Sequence, residues 1–448
     1  MKCLNLKTLA FLGLLASLGL PENVEGFIAG GKATGMAATG IAYPQDAYAG
    51  AYNPAGIVDV GDRLDFGIDW IQDRGHIRGK NNRTQTGALN PLVNRKFDAF
   101  KTKDFYNGDF GINKTFYTEI CGNCVNWAAG LVFYNRDFQK TSYTERIVLL
   151  GNPLPPINGT NPGLEYLHQT ISPVFAININ DCLSFGVSVD VHVQRAKVQG
   201  LQNFAQDGSI PQLPRFSLYP DKVTNKGYDY SSGVGATIGV KWQISDYLAL
   251  GVTYRTKAKM SHFHKYKGFL AQRGLLNIPQ KVGAGIAWRF LPYATLAFDV
   301  EWIDWTQVTS LHNPLINSRV TPPEILTPLG SKHGPGFGFR NQTFYRVGID
   351  YAINDCFTVR AGFRHANSPV RRSQTAVNVL TCDTVENIIT VGATYNWNCC
   401  AEVSVFYAHG FSKKIKGKDN SIPVFLGGGS IDLVESKNAL GISVGYMF

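Results

Sequence analysis

"CLSFGVSVDVHVQ", residues 182–194, is a strict two-residue alternation. Leu183, Phe185, Val187, Val189, Val191 and Val193 share one face, and Ser184, Gly186, Ser188, Asp190, His192 and Gln194 share the other. Period two is the signature of a strand with two unlike faces. A soluble antiparallel sheet would alternate in the same way. The connections separate the two cases. Tight turns at 178–184 (NINDCLS), 243–249 (QISDYLA), 289–295 (RFLPYAT), 352–358 (AINDCFT) and 396–402 (NWNCCAE) take turns with long polar stretches. Short connections gathered at one end and long ones at the other are the arrangement of an outer-membrane barrel.

Extending the pattern along the chain gives an all-β protein, a transmembrane antiparallel β-barrel of fourteen strands. They are expected near 62–74, 105–118, 125–139, 166–180, 182–198, 229–244, 247–262, 278–290, 294–308, 341–353, 356–367, 385–397, 401–414 and 436–448. An even number is what a single-chain bacterial barrel requires. The chain ends on "ALGISVGYMF" (439–448), with Leu440, Ile442, Val444, Tyr446 and Phe448 outward and a terminal aromatic residue. Trp70, Trp127, Trp242, Tyr254, Trp288, Trp302, Tyr351, Tyr395 and Trp397 fall at outward positions near strand ends, where amphipathic rings form girdles at the two membrane interfaces.

Composition agrees. Charged residues are 17% of the 448 and there are 47 glycines, less charge and more glycine than a soluble enzyme of this size carries. The net charge of +10 is spread along the chain, with many Lys and Arg in the long connections, which suits a charged membrane surface better than nucleic acid. Lys2 and Lys7 precede an apolar run from Leu9 to Leu20, so residues 1–26 read as an export signal with Phe27 as the expected mature start. About a dozen apolar residues are too few to span a bilayer as a helix.

Residues 30–56, "GGKATGMAATGIAYPQDAYAGAYNPAG", have no strand or helix period. They resemble the N-terminal segment of the FadL/TodX (OmpP1) family of outer-membrane transporters for long-chain fatty acids and other hydrophobic compounds. The likeness continues through "IPQKVGAGIAWRFLPYATLAFDVEWIDWTQV" (278–308), "FYRVGIDYAINDCFTVRAGFRHANSPV" (344–370) and the last strand. The resemblance implies that residues 27–60 form a hatch plugging the lumen of a barrel spanning 61–448, with Asn53, Pro54, Ala55 and Gly56 at its centre. Small residues suit a plug that packs backbone against backbone. Gly130, Gly186, Gly235, Gly251, Gly283, Gly362 and Gly392 sit at inward strand positions and leave room for it.

Inward positions also include Asp299, Glu301, Arg346, Asp350, Arg360 and Arg364. Two readings are open. Acids and bases on adjacent strands can satisfy one another as a structural lattice, or Arg346 and Arg360 can meet a fatty-acid carboxylate. The resemblance adds Lys332, in "GSKHG" (330–334), as a head-group candidate. The connections 199–228 and 263–277 carry Phe204, Phe216, Phe269, Leu270, Leu275 and Leu276. These are either the outer groove that the resemblance implies or loops packing on one another to close the mouth.

Of eight cysteines, Cys3 lies in the export signal. Cys121, Cys124, Cys182, Cys356, Cys399 and Cys400 fall at or beside short turns, on the rim facing an oxidising compartment. Disulfides within the chain or to other envelope proteins are expected there. Cys121-x-x-Cys124 lacks the second CxxC or His pair of a zinc site, and His262-x-His264 is a lone pair on a loop, so no metal is expected. "SSGVGATIGV" (231–240) is glycine-rich but lies on a strand, not in a phosphate-binding turn. No enzyme and no cofactor are expected. The reading is a monomeric barrel that meets outer-membrane lipids and passively admits hydrophobic small molecules, fatty acids first, with no nucleic-acid partner. The alternatives are a general porin and a structural or adhesive envelope protein cross-linked through its periplasmic cysteines.

Overall fold

The computed structural model describes residues 30–84, 86–120, 123–147, 160–205, 216–315, 327–398, 400–423 and 427–448. The export signal, Cys121 and Cys399 lie outside these residues, as does the side chain of Cys124.

Fourteen long strands make one antiparallel sheet. They are β1 (Arg63–Lys80), β2 (Asp104–Ile120), β3 (Asn123–Ser142), β4 (Gly163–Asn180), β5 (Leu183–Gln199), β6 (Asp229–Ser245), β7 (Leu248–Arg255), β8 (Lys281–Leu291), β9 (Ala294–Ile303), β10 (Gln342–Asn354), β11 (Phe357–Ala366), β12 (Asn387–Asn398), β13 (Ala401–Ile415) and β14 (Ser430–Met447). Each pairs with its sequence neighbour, and β14 pairs with β1 from Arg63↔Met447 to Lys80↔Ser430. That last ladder closes the barrel and removes both sheet edges, so backbone polar groups are satisfied within the wall even in hydrocarbon. Among the described residues no helix is long and apolar enough to cross a membrane.

The alternation read from 182–194 becomes inside and outside. Phe185, Val189 and Val191 are exposed on the outer surface, whereas Ser188, Asp190, His192 and Gln194 are buried. The nine aromatic residues expected in the girdles are all at least partly exposed. Successive strands are joined by two-residue turns at one rim and by long connections at the other. Three of the turns share a construction. The side-chain oxygen of Asn180 accepts the N–H groups of Cys182 and Leu183, at 2.9 and 2.8 Å. Asn354 does the same for Cys356 and Phe357, at 3.0 and 2.9 Å, and Asn398 for Cys400 and Ala401, both at 2.8 Å. The Asn side chain thus stands in for a ladder partner where the strand reverses.

Strand ends differ from the sequence expectation where apolar alternation and hydrogen bonding part company. β1 continues to Lys80, past the expected 74, because Arg74, His76, Arg78 and Lys80 keep the ladder while abandoning the apolar face. β7 stops at Arg255 instead of reaching 262. The Thr256 hydroxyl there accepts the Ala236 N–H at 3.0 Å, Ala258 bridges to Ile278, and only Lys259–Met260 pair again with β6.

Candidate functional site

Residues 30–60 lie within the barrel and touch its wall almost all the way round. Three helical turns, Gly31–Gly35, Ala49–Tyr52 and Pro54–Asp59, are joined by extended backbone. Inward glycines receive them. A Cβ on Gly362 would stand 2.5 Å from the Ala37 nitrogen, one on Gly392 3.0 Å from Gly35 Cα, and one on Gly111 3.1 Å from the Ala47 carbonyl carbon. On Gly186 it would strike the Pro54–Ala55 peptide, and on Gly251 the Ile41 carbonyl. Backbone cannot step aside as a side chain can, so a side chain at Gly362, Gly186 or Gly251 would force the segment to move, and Gly392 and Gly111 leave it only a few tenths of an ångström. Of the glycines read as inward, Gly130 and Gly235 meet other groups: Asn113 and the Ile112 carbonyl for the first, His192, Ala258 and Thr256 for the second.

The Asn53-Pro54-Ala55-Gly56 stretch follows from the same crowding. Asn53 caps the 3₁₀ turn, its side-chain oxygen accepting the Ala55 N–H at 3.1 Å. Its amide nitrogen donates to the Ile41 carbonyl at 2.8 Å and to the Val240 carbonyl of β6 at 3.0 Å. Pro54 occupies the first turn, where no N–H is needed. Ala55 is fully buried, and a Cβ on Gly56 would meet Pro44 at 2.9 Å.

Wall carboxylates and hydroxyls hold the backbone of this segment. Asp299 accepts the N–H groups of Gly40 and Ile41, at 2.8 and 3.1 Å. Asp109 accepts Gly30 N–H at 3.0 Å and Asp65 accepts Ala47 N–H at 2.8 Å. Thr390 accepts Ala37 N–H and donates to the Gly35 carbonyl, each at 2.9 Å. Charges pair beside these contacts. Glu301 lies 2.6 Å from Lys281 and 3.0 Å from Arg346. Lys32 and Arg63 both pair with Glu402, and Arg360 donates to Gln45 at 3.1 Å with Asp350 3.8 Å away.

Above this lattice two cavities adjoin, both lined by Phe269, Leu270 and Phe337. The outer one is bounded by Leu201, Phe204, Phe216, Leu315, Leu329 and Ile422, with hardly a polar group. The inner one is walled by Leu276, Trp305, Phe339 and Phe344 and is also lined by polar groups, among them Asn277, Gln342, His168, Arg364, Asp383 and Lys437. Connection 367–386 folds over the lumen and lines both cavities. It is latched by the Thr141 hydroxyl on the Leu380 carbonyl at 2.6 Å and by the Tyr143 hydroxyl on the Val379 carbonyl at 2.5 Å. Cys382 is fully buried in this connection, and burial pushes its thiol pKa well up.

The structure therefore sorts the sequence candidates. Phe204, Phe216, Phe269 and Leu270 converge on the outer cavity and Leu276 on the inner one. Leu275 lies beside them, bridged to His262. Arg346 and Arg360 are committed to the lattice and line neither cavity. Lys332 is exposed in the 304–341 connection and lines neither cavity. The cations that reach the inner cavity are Arg364 and Lys437. Lys437 Nζ lies 3.4 Å from Asp73 and 3.5 Å from Glu435. Arg364 stacks over Phe344 at 5.5 Å, with Arg346 also over that ring at 5.0 Å. His168 Nε2 is 3.1 Å from His192 Nδ1. Sequence reading missed Lys437 and His168. Counting back in twos from inward Gly441 would have marked Lys437 as inward, but nothing local ties it to a cavity. Cys182 and Cys356 are exposed free thiols on the short-turn rim, and Cys400 is half-buried on the same rim.

Residues 27–448 match the family model described as outer membrane protein transport protein (OMPP1/FadL/TodX). A long-chain fatty acid transport protein of Salmonella typhi is 23% identical over 286 residues, 57% of this chain and 62% of the relative. That of Escherichia coli K12 is 22% identical over 298 residues, 57% of this chain and 63% of the relative. The chain thus spans a little under two thirds of the curated relatives it matches. Among solved structures, a Pseudomonas aeruginosa FadL homologue superposes with a TM-score of 0.66 at 15% identity, over 94% of this chain and 98% of that one. The P. putida toluene transporter TodX superposes at 0.62 and 15% identity, over 95% and 99%. At that identity the likeness is one of fold.

Proposed function

The chain belongs to the outer membrane protein transport protein family (OMPP1/FadL/TodX), and we propose that it passively admits hydrophobic molecules through the outer membrane, long-chain fatty acids first among them. The two adjoining cavities carry the reading. The outer one is almost wholly apolar, while the inner one combines apolar walls with charged groups, Arg364, Asp383 and Lys437 among them. An acyl chain gains about 0.8 kcal/mol for each methylene removed from water, so it partitions first among Phe204, Phe216 and Phe269. Phe269, Leu270 and Phe337 then form the sill to the inner cavity, where Arg364 and Lys437 supply donors for a carboxylate head. Residues 27–60 act as the hatch below it. Release requires them to shift, because their contacts leave no room beside the wall glycines.

A second reading rests on charge balance. Lys437 already faces two carboxylates, Asp73 and Glu435, which favours an uncharged ligand such as a monoaromatic hydrocarbon. Uptake of labelled oleate and labelled toluene, in cells whose only transporter of this type is this chain, decides between the two. Oleate uptake far above the empty-vector level supports the first reading. Toluene uptake alone supports the second, and uptake of neither overturns both.

A further inference from the structure

The outer wall carries a second feature unrelated to the lumen. Tyr407, Leu440, Trp70 and Tyr106 are opposite one another on β13, β14, β1 and β2, so they form a row on the loop side that runs across the strands and, with their tilt, shifts in height by about 3 Å from each strand to the next. Such a row marks the interface on the extracellular side. β1 continues beyond it with Arg74, His76, Arg78 and Lys80 outward. With a rise of about 3.3 Å per residue and a tilt of about 40°, Arg74 stands about 10 Å above Trp70, at the edge of a head-group layer about 5–8 Å deep, and Arg78 about 20 Å above it, level with sugars that extend beyond that layer.

The neighbours are basic as well. Arg78 is directly opposite Lys96, and both are exposed. Like charges in register on adjacent strands destabilise a sheet. On the other side Arg78 is opposite Asp432, whose carboxylate lies 2.6 Å from Lys80 Nζ and 2.9 Å from Lys414 Nζ, so one acid answers two ammonium groups. With the exposed Arg74, and Lys103 at 3.9 Å from Asp98, six cations share this face with three acids, Asp432, Asp98 and Asp104, the last already taking hydrogen bonds from the Trp70 and Gln72 side chains. We propose that the outward face of β13, β14, β1 and the short strand Lys96–Asp98 paired with it, above the aromatic row, binds the phosphate groups of an anionic phosphorylated glycolipid of the outer leaflet. Phosphate relieves the Arg78–Lys96 repulsion and takes charge-assisted hydrogen bonds from both. Basic side chains at a membrane surface attract anionic head groups in this way.

The test is native mass spectrometry of the whole, delipidated protein titrated with a short lipopolysaccharide phosphorylated on its lipid and core sugars, with its dephosphorylated form, and with inorganic phosphate. The test variant is Arg74→Gln/Arg78→Gln/Lys96→Gln, and Lys257→Gln/Lys259→Gln/Lys332→Gln, which removes the same three charges elsewhere, is a control for net charge. Folding of each is checked by heat-modified gel mobility. Wild type and control should hold the phosphorylated lipid at least about tenfold more tightly than the triple variant, and more tightly than the dephosphorylated lipid. Equal binding by the folded triple variant, equal binding of the dephosphorylated lipid, or full competition by inorganic phosphate at equal concentration would each overturn the proposal. Should the triple variant fail to fold, Arg74→Gln and Lys96→Gln singly take its place, each expected to weaken binding several-fold.

Discussion

The side-chain amide of Asn53 donates to the carbonyl oxygen of Val240 at 3.0 Å, joining the lumen segment to β6 across 187 residues of sequence. The same amide donates to Ile41, and the same side chain caps the turn that begins at Pro54. One residue thereby fixes a fold within the segment and its seat on the wall.

Asn53→Ala should loosen the segment without opening the barrel. It leaves the buried Val240 and Ile41 carbonyls and the Ala55 N–H short of a partner, at about 1–3 kcal/mol for each such group. Hydrogen exchange at residues 53–59 should rise and conductance in planar bilayers should increase. Strand protection and heat-modified gel mobility should stay as in the wild type. Unchanged conductance together with unchanged exchange counts against the role given to Asn53.

Gly186→Val should displace the segment, because its side chain would occupy the site of the Pro54–Ala55 peptide. Val189→Ala, on the lipid face of the same strand, should leave conductance at the wild-type level. If Gly186→Val gives a closed, folded barrel with the segment protected from protease, the close approach is not needed.

Glu301→Gln should be among the most destabilising single changes in the wall. It removes the carboxylate that answers both Lys281 and Arg346 in a buried setting. Breaking a buried ion pair by removing one partner costs about 3–5 kcal/mol. The urea midpoint for loss of the folded gel band should fall clearly, whereas Lys332→Ala, on the exposed connection, should leave it in place.

Lys437→Met bears on the ligand. If a carboxylate head group is recognised, oleate uptake should fall about tenfold or more, in line with loss of a charge-assisted bond, and toluene uptake should hold. An equal fall in both points to a structural effect through Asp73 and Glu435.

The cysteines should divide by burial. Cys182 and Cys356 are exposed and should alkylate rapidly in the reduced, folded protein. Cys382, buried with its thiol held protonated, should react only on unfolding. In protein taken quickly from intact envelopes, the rim thiols at Cys182 and Cys356 should be blocked until reductant is added. Free thiols at both in that material would remove the cross-linking reading.

The number and order of the strands were legible in the sequence because alternation is local. Each residue's face depends only on its neighbours two positions away, and Phe185 against Ser184 already states which way the wall turns. The rim was legible too, since Asn180, Asn354 and Asn398 cap turns within their own hairpins. The 30–60 segment announced close packing through its Gly and Ala content. Tertiary structure alone decided which inward charge answers which. Arg346 and Arg364 look alike by parity and lie opposite each other on β10 and β11. One is bound to Glu301 in the lattice and the other lines a cavity. Lys437 meets Asp73 only because the last strand closes on the first. The cavities depend on how long connections fold back over the lumen, and neither alternation nor turn chemistry fixes that. Contacts of this kind are set by closure of the ring and by distances across its interior, which no local period encodes.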